Sequence, residues 1–353
     1  MNVLRANENP IIKPFDIKPT RPDFEVIGAF NAAVTKYDGD VILLLRIAEK
    51  PIQNDPENYI VPVFEIDENK VIVKSISKSD PENDFSDERQ IVTKEATYLT
   101  SIAHLRLARS HDGINFDIEE RPFIFPDNQY ETFGTEDPRI TLIGDTYYIN
   151  YGAISKDGLN IALASTKDFK SVERLGIIFC PDNKDVTIFP EKINGKYYAL
   201  HRPSNSWFAG PEMWIAESPD LMCWGNHRKL IGRRPGKWDA SRIGASAVPF
   251  KVEGGWLEIY HGVINNVYAI GALLLDENEP WKVIARSDTP IMEPEAEYET
   301  NGFWGKVVFP CGALCENGVV KLYYGAADAY TCYAEIKLND IMESLNILNK
   351  REC

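Results

Sequence analysis

A glycine followed by an apolar or aromatic segment recurs five times along the 353-residue chain and constrains the fold more than any other feature. Each glycine stands where a hairpin turn would join two strands. The five turn glycines are Gly39, Gly144, Gly195, Gly254 and Gly318. Two further landmarks accompany them: a strand ending in a polar turn, and a proline after an apolar stretch. Such a repeat indicates one structural unit built several times over.

The proline landmarks give the length of the unit. They are Pro14, Pro126, Pro181, Pro235 and Pro294. The last four are 55, 54 and 59 residues apart, whereas the first gap is 112 residues. The first unit therefore carries an insertion, at about residues 50–97. Four short strands in a unit of this length are typical of a propeller blade.

The sequence thus predicts an all-β protein, a five-bladed β-propeller with four-stranded blades and an insertion in the first blade. A β-sandwich is the alternative, but it would not repeat three landmarks in the same order. We expect residues 1–353 to form a single domain in which N-terminal residues complete the last blade. The insertion has two open roles, shaping the site or contacting another subunit.

Charge and composition exclude several function classes. The formal net charge of -15 argues against nucleic acid, whose phosphates need a basic surface. The N-terminus has no apolar signal region and no apolar run is long enough to span a membrane, so we expect a cytoplasmic protein. The six cysteines are scattered, so we expect neither metal nor cofactor. We expect a homodimer.

The repeat also predicts which residues meet at one mouth of the axis. In each unit the end of the second strand returns to the start of the first. Positions about seven residues on either side of the turn glycine should therefore converge. They include Asn31, Arg46, Asp137, Tyr151, Arg202, Ser246, His261 and Cys311, and the fifth unit continues to Asp328. Several cations converging in an acidic protein predict an anion site, because Arg recognises phosphate and carboxylate well.

Some candidates also have a purely structural interpretation. Arg139 could pair with a neighbouring carboxylate, and Glu191 with Lys192 could form a local ion pair. Because side chains alternate along a strand, only one of His201 and Arg202 faces the axis, and the register favours Arg202.

Aromatic residues near the expected site have two interpretations as well. Trp207, Phe303 and Trp304 could stack on sugar faces or pack between blades. His261 alone would be a structural histidine, but its register with Arg46 and Arg202 favours a functional role.

Several segments at these positions resemble glycoside hydrolase family 130. They are FNAAV (30–34), LLLR (43–46), GTEDPRI (134–140), KDVTIFPEKINGKYYALHRP (184–203), SRIGASAVPF (241–250), YHGV (260–263) and YYGAAD (323–328). The resemblance runs through all five units. It implies a five-bladed propeller enzyme, in most members a phosphorylase of β-mannosides and in some a β-mannosidase.

The resemblance implies a mechanism with a single carboxylic acid. Asp137 matches the general acid, whose proton is thought to travel through the 3-hydroxyl of the bound mannosyl unit. Phosphate is a co-substrate that attacks the anomeric carbon with inversion. An inverting hydrolase, by contrast, needs two carboxylates with room for water between them.

The resemblance also implies the binding residues. Those that match phosphate-binding positions are Arg46, Arg202, Arg242, His261 and Lys184. Arg242 departs in type from the lysine expected in many relatives and keeps the charge. Asn31 and Asp328 match sugar-binding positions. Further candidates for the substrate site are Arg139, Tyr151, Glu191 and Lys192.

The expected reaction is phosphorolysis of a β-mannoside, with β-1,2-mannobiose favoured, to give α-D-mannose 1-phosphate and mannose. A β-1,4-mannoside phosphorylase and a β-mannosidase on the same scaffold are alternatives. A furanosidase-like propeller would need three separated acids around the axis. A non-catalytic glycan-binding propeller is disfavoured, because a lectin for neutral sugars needs no cation cluster.

Overall fold

The computed structural model describes residues 1–204 and 208–348, whose regular secondary structure is almost entirely β-sheet. Two short α-helices, α1 (Glu297–Thr300) and α2 (Leu338–Glu343), and one 3-10 turn (Pro14–Asp16) complete the described elements. Neither α-helix in this part of the chain has the length and apolar character needed to cross a bilayer. The all-β class predicted from the sequence is confirmed.

The described residues form 27 strands. The first ten are β1 (Val3–Arg5), β2 (Phe24–Tyr37), β3 (Asp40–Pro51), β4 (Asn58–Glu65), β5 (Lys70–Ser77), β6 (Asp84–Asp87), β7 (Gln90–Val92), β8 (Thr97–Leu99), β9 (Ile102–Ser110) and β10 (Asp117–Ile118). The next eight are β11 (Gly134–Ile143), β12 (Thr146–Ser155), β13 (Gly158–Thr166), β14 (Glu173–Phe179), β15 (Asn183–Ile188), β16 (Tyr197–Pro203), β17 (Met213–Ser218) and β18 (Gly225–Ile231). The last nine are β19 (Arg242–Ala245), β20 (Phe250–Val252), β21 (Gly255–Ile264), β22 (Val267–Leu275), β23 (Val283–Ser287), β24 (Val308–Glu316), β25 (Val319–Ala326), β26 (Tyr330–Lys337) and β27 (Leu345–Ile347).

The turn glycines stand at hairpins, as the repeat predicts. Between β2 and β3, Asp38 and Gly39 have φ values of 51° and 88°. A two-residue turn with both residues at positive φ twists in the same sense as the strands, and Asp-Gly suits it because both residues tolerate this conformation.

The strands pair antiparallel in five runs that follow the chain. Run 1 is β2, β3, β9 and β10; run 2 is β11 to β14; run 3 is β15 to β18. Run 4 is β19 with β20, β21, β22 and β23, and β27 adds an edge strand. Run 5 is β24, β25 and β26, and β1 pairs with β26, so N-terminal residues complete this sheet as expected. Runs 1 and 2 join into one sheet where Gly134 of β11 meets Ala103 of β9 in parallel.

The hydrophobic core lies between the runs. Separate buried clusters join run 1 to run 2, run 2 to run 3, run 3 to run 4, and run 4 to run 5. A further cluster joins run 1 to run 5 and contains Leu43 of β3 and Tyr323 of β25, both about 1% exposed or less. The first strands of the runs pack near one another, since β2 contacts β24 and β11, and β15 contacts β11 and β19. The starts of these strands therefore share one central region.

The insertion in run 1 folds into two small sheets, one of β4 and β5 and one of β6, β7 and β8. It rests on the main body through buried Phe64 and Val71, which pack with Phe24 and Ile102. The amide of Phe64 also donates a 2.8 Å hydrogen bond to the carbonyl of Thr132. The insertion is thus fixed beside the start of run 2.

Candidate active site

Three of the innermost strands carry a β-bulge at the same place. The register shifts between Phe30 and Ala33 in β2, between Glu136 and Arg139 in β11, and between Lys184 and Thr187 in β15. A bulge leaves one residue unpaired and redirects its side chain.

The residues at the bulges are Asn31, Asp137 and Asp185, with φ values of 50°, 48° and 54°. Positive φ is uncommon for residues other than glycine, although Asn and Asp tolerate it best. All three residues line one cavity of about 530 Å³. The bulges therefore direct three polar side chains into a common space.

The cavity gathers most of the residues predicted from the sequence. Eight of the twelve predicted site residues line it: Asn31, Arg46, Asp137, Lys184, Arg202, Arg242, His261 and Asp328. Glu136, Asp185 and the aromatic side chains Phe30, Tyr268, Phe303 and Phe309 also line it. The cavity thus combines a dense set of charges with aromatic faces, a lining that suits a small polar ligand.

Asp137 accepts hydrogen bonds from two neighbours at one oxygen. Asn31 Nδ2 and Arg46 Nη1 each lie 2.9 Å from Asp137 Oδ1. Burial by itself would raise the pKa of Asp137, but the charges of Arg46, Lys184 and Arg139 outweigh burial and hold the pKa well below its usual range. Asp137 is therefore a carboxylate.

Glu136 ties two of the cations together. Arg46 Nη2 lies 2.8 Å from Glu136 Oε2, and Lys184 Nζ lies 2.9 Å from Glu136 Oε1. Glu136 itself is only 4% exposed, whereas the side chains of Arg46 and Lys184 are 20% and 37% exposed. Glu136 thus fixes the positions of two cations on either side of Asp137.

Asp185 is the centre of a second charged cluster. Arg202 Nη1 lies 2.5 Å from Asp185 Oδ2, an ion pair whose angles are not those of a hydrogen bond. His261 Nε2 lies 3.4 Å from the same oxygen, and Arg139 Nη2 lies 3.8 Å from Oδ1. A Cβ atom on Gly244 would come within 2.4 Å of Asp185 Oδ2, so only glycine leaves space for this cluster.

His261 is a neutral imidazole, whereas the sequence analysis counted it among the converging cations. Burial, which outweighs the opposing charge of Asp185, lowers the pKa of His261 to about 3. Arg202 Nη1 lies 3.1 Å from His261 Nε2 and can only donate, so Nε2 accepts. The proton is then on Nδ1, which donates to Ser246 Oγ at 3.1 Å.

Arg242 reaches the cavity from the start of β19 with an exposed side chain. Its Nη1 donates a 2.7 Å hydrogen bond to the hydroxyl of Tyr268. Within residues 1–204 and 208–348 no carboxylate forms an ion pair with Arg242. It therefore offers a charge that a bound anion could neutralise.

Asp328 is a second carboxyl group in the cavity and differs from Asp137. Burial, partly opposed by Arg46, raises the pKa of Asp328 to about 6, and the negative charge of Asp137 adds to the rise. Asp328 lies just after β25, at a φ of 50°. Asp137 and Asp328 therefore differ, since Asp137 is ionised whereas the pKa of Asp328 is about 6.

The structure places four predicted substrate-site residues off the cavity wall. Arg139 lies beneath it, and its Nη1 donates to the carbonyl of Asp137 at 2.9 Å. Tyr151 is buried beside run 2, where its hydroxyl donates to Glu131 at 2.8 Å. Tyr151 is thus in the predicted register but on the core side of its strand.

Glu191 and Lys192 lie farther away and are exposed. Glu191 pairs with Lys251 at 3.2 Å, and Lys192 lies over the ring of Tyr197. Both residues come after the end of β15 at Ile188. Their partners are local and neither lines the cavity, so their role in substrate binding stays a prediction.

Among the aromatic candidates, Phe303 lines the cavity, whereas Trp304 stacks against Arg89 and Trp207 lies outside the described residues. His201 faces away, hydrogen-bonded to His227 at 3.0 Å, so Arg202 is the member of that pair at the cavity.

The sequence analysis missed Asp185, and a signal for it existed. Asn31 lies eight residues before its turn glycine and Asp137 seven, but Asp185 lies ten before Gly195. The connection from β15 to β16 is longer because β15 ends at Ile188, seven residues before that glycine. A search for Asp or Asn within ten residues of each glycine would have found it.

We expect Asp185→Asn to destabilise the protein by about 3 kcal/mol, because removing one partner of a buried ion pair leaves the other charge uncompensated. Urea unfolding with and without inorganic phosphate measures this. Phosphate should raise the free energy of unfolding more in the variant than in the wild type, because the bound anion replaces the negative charge that Asp185 supplied. Equal stabilisation of both proteins by phosphate would show that Asp185 does not face the anion site.

Comparisons with known proteins agree with this geometry. The model of glycoside hydrolase family 130, described as beta-1,4-mannooligosaccharide phosphorylase, matches residues 43–347. The chain is 50% identical over 352 residues to the beta-1,2-mannobiose phosphorylase of Listeria innocua, with 98% of this chain and 99% of that protein covered. The chain is also 41% identical over 250 residues to a 1,2-beta-oligomannan phosphorylase of Thermoanaerobacter, covering 70% of this chain and 82% of that protein.

Solved structures agree as well. The Listeria innocua enzyme in complex with beta-1,2-mannobiose superposes with a TM-score of 0.95 over 98% of this chain and 99% of that chain. A putative glycoside hydrolase of Parabacteroides distasonis, 23% identical, has a TM-score of 0.73 over 94% of this chain and 95% of its own, and shares the propeller-like fold. The chain belongs to glycoside hydrolase family 130.

Proposed function

We propose that this protein is an inverting phosphorylase that cleaves β-1,2-mannobiose with inorganic phosphate to give α-D-mannose 1-phosphate and mannose. The observation that carries the proposal is one cavity in which Asp137 lies beside Arg46, Lys184, Arg202 and Arg242. The 50% identity to a beta-1,2-mannobiose phosphorylase over nearly the whole of both chains supports the linkage.

The cations prepare the cavity for phosphate. Arg guanidinium groups bind phosphate through paired, charge-assisted hydrogen bonds, and preorganised donors stabilise the charge that moves during displacement. A phosphate oxygen forms a bond to the anomeric carbon while the bond from that carbon to the glycosidic oxygen breaks. The electron pair goes to the leaving oxygen. Attack from the opposite face converts the β-linkage into an α-phosphate.

The proton balance of the reaction closes without water. Hydrogen phosphate loses one proton on becoming the ester, and the leaving hydroxyl gains one. We assign the delivery of a proton to the leaving oxygen to Asp137, through the 3-hydroxyl of the mannosyl unit, and the proton that hydrogen phosphate loses restores the acid form of Asp137.

Asp137 must carry a proton to act as an acid, although the neighbouring cations favour its ionised form. Bound phosphate neutralises Arg46 and Lys184, the cations that hold the pKa of Asp137 down. The pKa of Asp137 therefore rises when phosphate binds. This coupling restricts acid catalysis to the complex that contains the nucleophile.

Hydrolysis needs a carboxylate free to activate water. Glu136 and Asp185 are each held in ion pairs with cations, so neither of these two is free to activate water. The test is product analysis after incubation with β-1,2-mannobiose or β-1,4-mannobiose, each with and without phosphate. We expect turnover of the β-1,2-linked sugar in phosphate alone. Preferred cleavage of the β-1,4-linked sugar would overturn the linkage, and equal mannose release without phosphate would make the protein a hydrolase.

Asp328→Asn should make the protein more stable at pH 7.5 even as activity falls. The raised pKa means that ionisation of Asp328 costs folding energy as pH rises from about 4 to about 6, because the unfolded chain ionises first. An asparagine removes that cost, up to about 3 kcal/mol for a shift of about two pKa units.

Thermal unfolding at pH 7.5 and at pH 4 measures this effect of Asp328→Asn. The gain in melting temperature should be present at pH 7.5 and disappear at pH 4. Asp145→Asn, at an exposed turn in run 2, is the control. A lower melting temperature of Asp328→Asn at pH 7.5 would contradict the assignment.

Finer features of the fold are proposals too. We propose that the five runs are five blades closed into a ring, in one domain spanning the chain. The hydrophobic cluster between run 1 and run 5 and the pairing of β1 with β26 support closure. The homodimer and the cytoplasmic location stay predictions from the sequence.

A further inference from the structure

The insertion of run 1 forms part of the cavity wall. Arg89, Gln90, Leu99 and Ser101 line the same cavity as Asp137. Gln90 begins β7 and Leu99 ends β8, so the small sheet of β6, β7 and β8 forms one side of the opening. The chain therefore builds its site from the five runs and from the insertion together.

Arg89 is held in place by two neighbours. Its Nε and Nη2 donate to the two carboxylate oxygens of Asp87 at 2.9 and 2.8 Å. Its guanidinium carbon lies 4.3 Å from the centre of the Trp304 ring, on the segment before β24. Arg89 Nη1 has no hydrogen bond to any residue in 1–204 or 208–348. The guanidinium is thus oriented with three N–H bonds left to donate, two on Nη1 and one on Nη2.

Arg89 lies nearer the opening than the residues around the general acid. The side chain of Arg89 is 48% exposed, compared with 14% for Asp137 and 20% for Arg46. A disaccharide that places its transferred unit at Asp137 must extend its other unit towards the opening. Arg89 therefore lies where the leaving mannose passes.

We propose that Arg89 is a specificity-determining residue whose free N–H groups bind hydroxyl groups of the leaving mannose unit. The proposal rests on the proposed function and assigns the insertion to recognition of the acceptor sugar. The bidentate contact with Asp87 already neutralises the guanidinium, which suits a neutral sugar better than it suits phosphate. The aromatic ring beneath adds rigidity, so little side-chain entropy is lost on binding.

The competing explanation is that Arg89 has a purely structural role and fastens the insertion to Trp304. Steady-state kinetics of the reverse reaction separate the two explanations, because α-mannose 1-phosphate and free mannose occupy different parts of the site. The wild type, Arg89→Ala and Arg89→Lys are each measured twice. Mannose is varied at saturating α-mannose 1-phosphate, and then α-mannose 1-phosphate is varied at saturating mannose. Lys94→Ala, an exposed change in the insertion, is the control.

We expect Arg89→Ala to raise the KM for mannose at least about 10-fold, because a charge-assisted hydrogen bond to a ligand is lost. The KM for α-mannose 1-phosphate should stay within about 2-fold of the wild type. Arg89→Lys keeps the charge but loses the planar fork, so it should show the same selective effect. Lys94→Ala should match the wild type.

An equal rise in both KM values, a fall in kcat alone, or no change would each overturn the role of Arg89. A wild-type protein that makes no disaccharide from α-mannose 1-phosphate and mannose would overturn the proposed function, and this inference with it. The wild-type reaction thus distinguishes the two failures.

Discussion

Asp137→Asn is expected to lower kcat for phosphorolysis of β-1,2-mannobiose by about 10³-fold or more, near the upper range for loss of a general acid. The asparagine keeps the shape of the side chain and can still accept hydrogen bonds from Asn31 and Arg46 at its oxygen. It has no acidic proton to give to the leaving sugar. Rates of α-mannose 1-phosphate formation measure the effect.

Two comparisons make the Asp137 result specific. Asp145→Asn, on the exposed turn of the same run, should keep wild-type activity. An aryl β-mannoside derived from an acidic phenol releases a phenolate, which can leave without accepting a proton. Asp137→Asn should therefore lose much less activity on such a substrate. Equal losses on both substrates would contradict the general-acid role.

Arg202→Lys is expected to lower kcat/KM for phosphate by about 100-fold, because lysine keeps the charge but cannot form paired hydrogen bonds to phosphate. The lysine can still pair with Asp185, which lies 2.5 Å from the arginine. Binding of β-1,2-mannobiose in the absence of phosphate should change by less than about 2-fold. Calorimetry measures that binding, and initial rates at varied phosphate measure kcat/KM.

Arg228→Lys is the matched control for the Arg202 variant. Arg228 lies in β18 of the same run, where its guanidinium stacks over Trp281 away from the cavity. Arg228→Lys should leave kcat/KM for phosphate unchanged. A loss of mannobiose binding equal to the loss of phosphate affinity would place Arg202 in the sugar site.

The sequence predicted the all-β class and the strand pairing within each unit because one repeat encodes them. The hairpin turns, the strand order within each unit and the closure of the last sheet by N-terminal residues all follow from the spacing of glycine and proline. The repeat could not show that the insertion builds a wall of the cavity. That contact depends on how two small sheets pack on the body, which no local pattern encodes.

The candidate site was predictable where the strands keep a constant register. Arg46, Arg202 and His261 lie seven residues after their turn glycines, and all three line the cavity. Glu191 does not line the cavity, because it lies in the longer connection after β15. The prediction failed for the charge of His261, because burial determines protonation and burial is a property of the packed structure.

The most direct test of phosphorolysis is ³¹P NMR of the protein with β-1,2-mannobiose and inorganic phosphate. Each mannose released should consume one phosphate, and the new phosphomonoester signal should belong to α-mannose 1-phosphate. Two mannose molecules released for each disaccharide, with the phosphate signal unchanged, would contradict phosphorolysis.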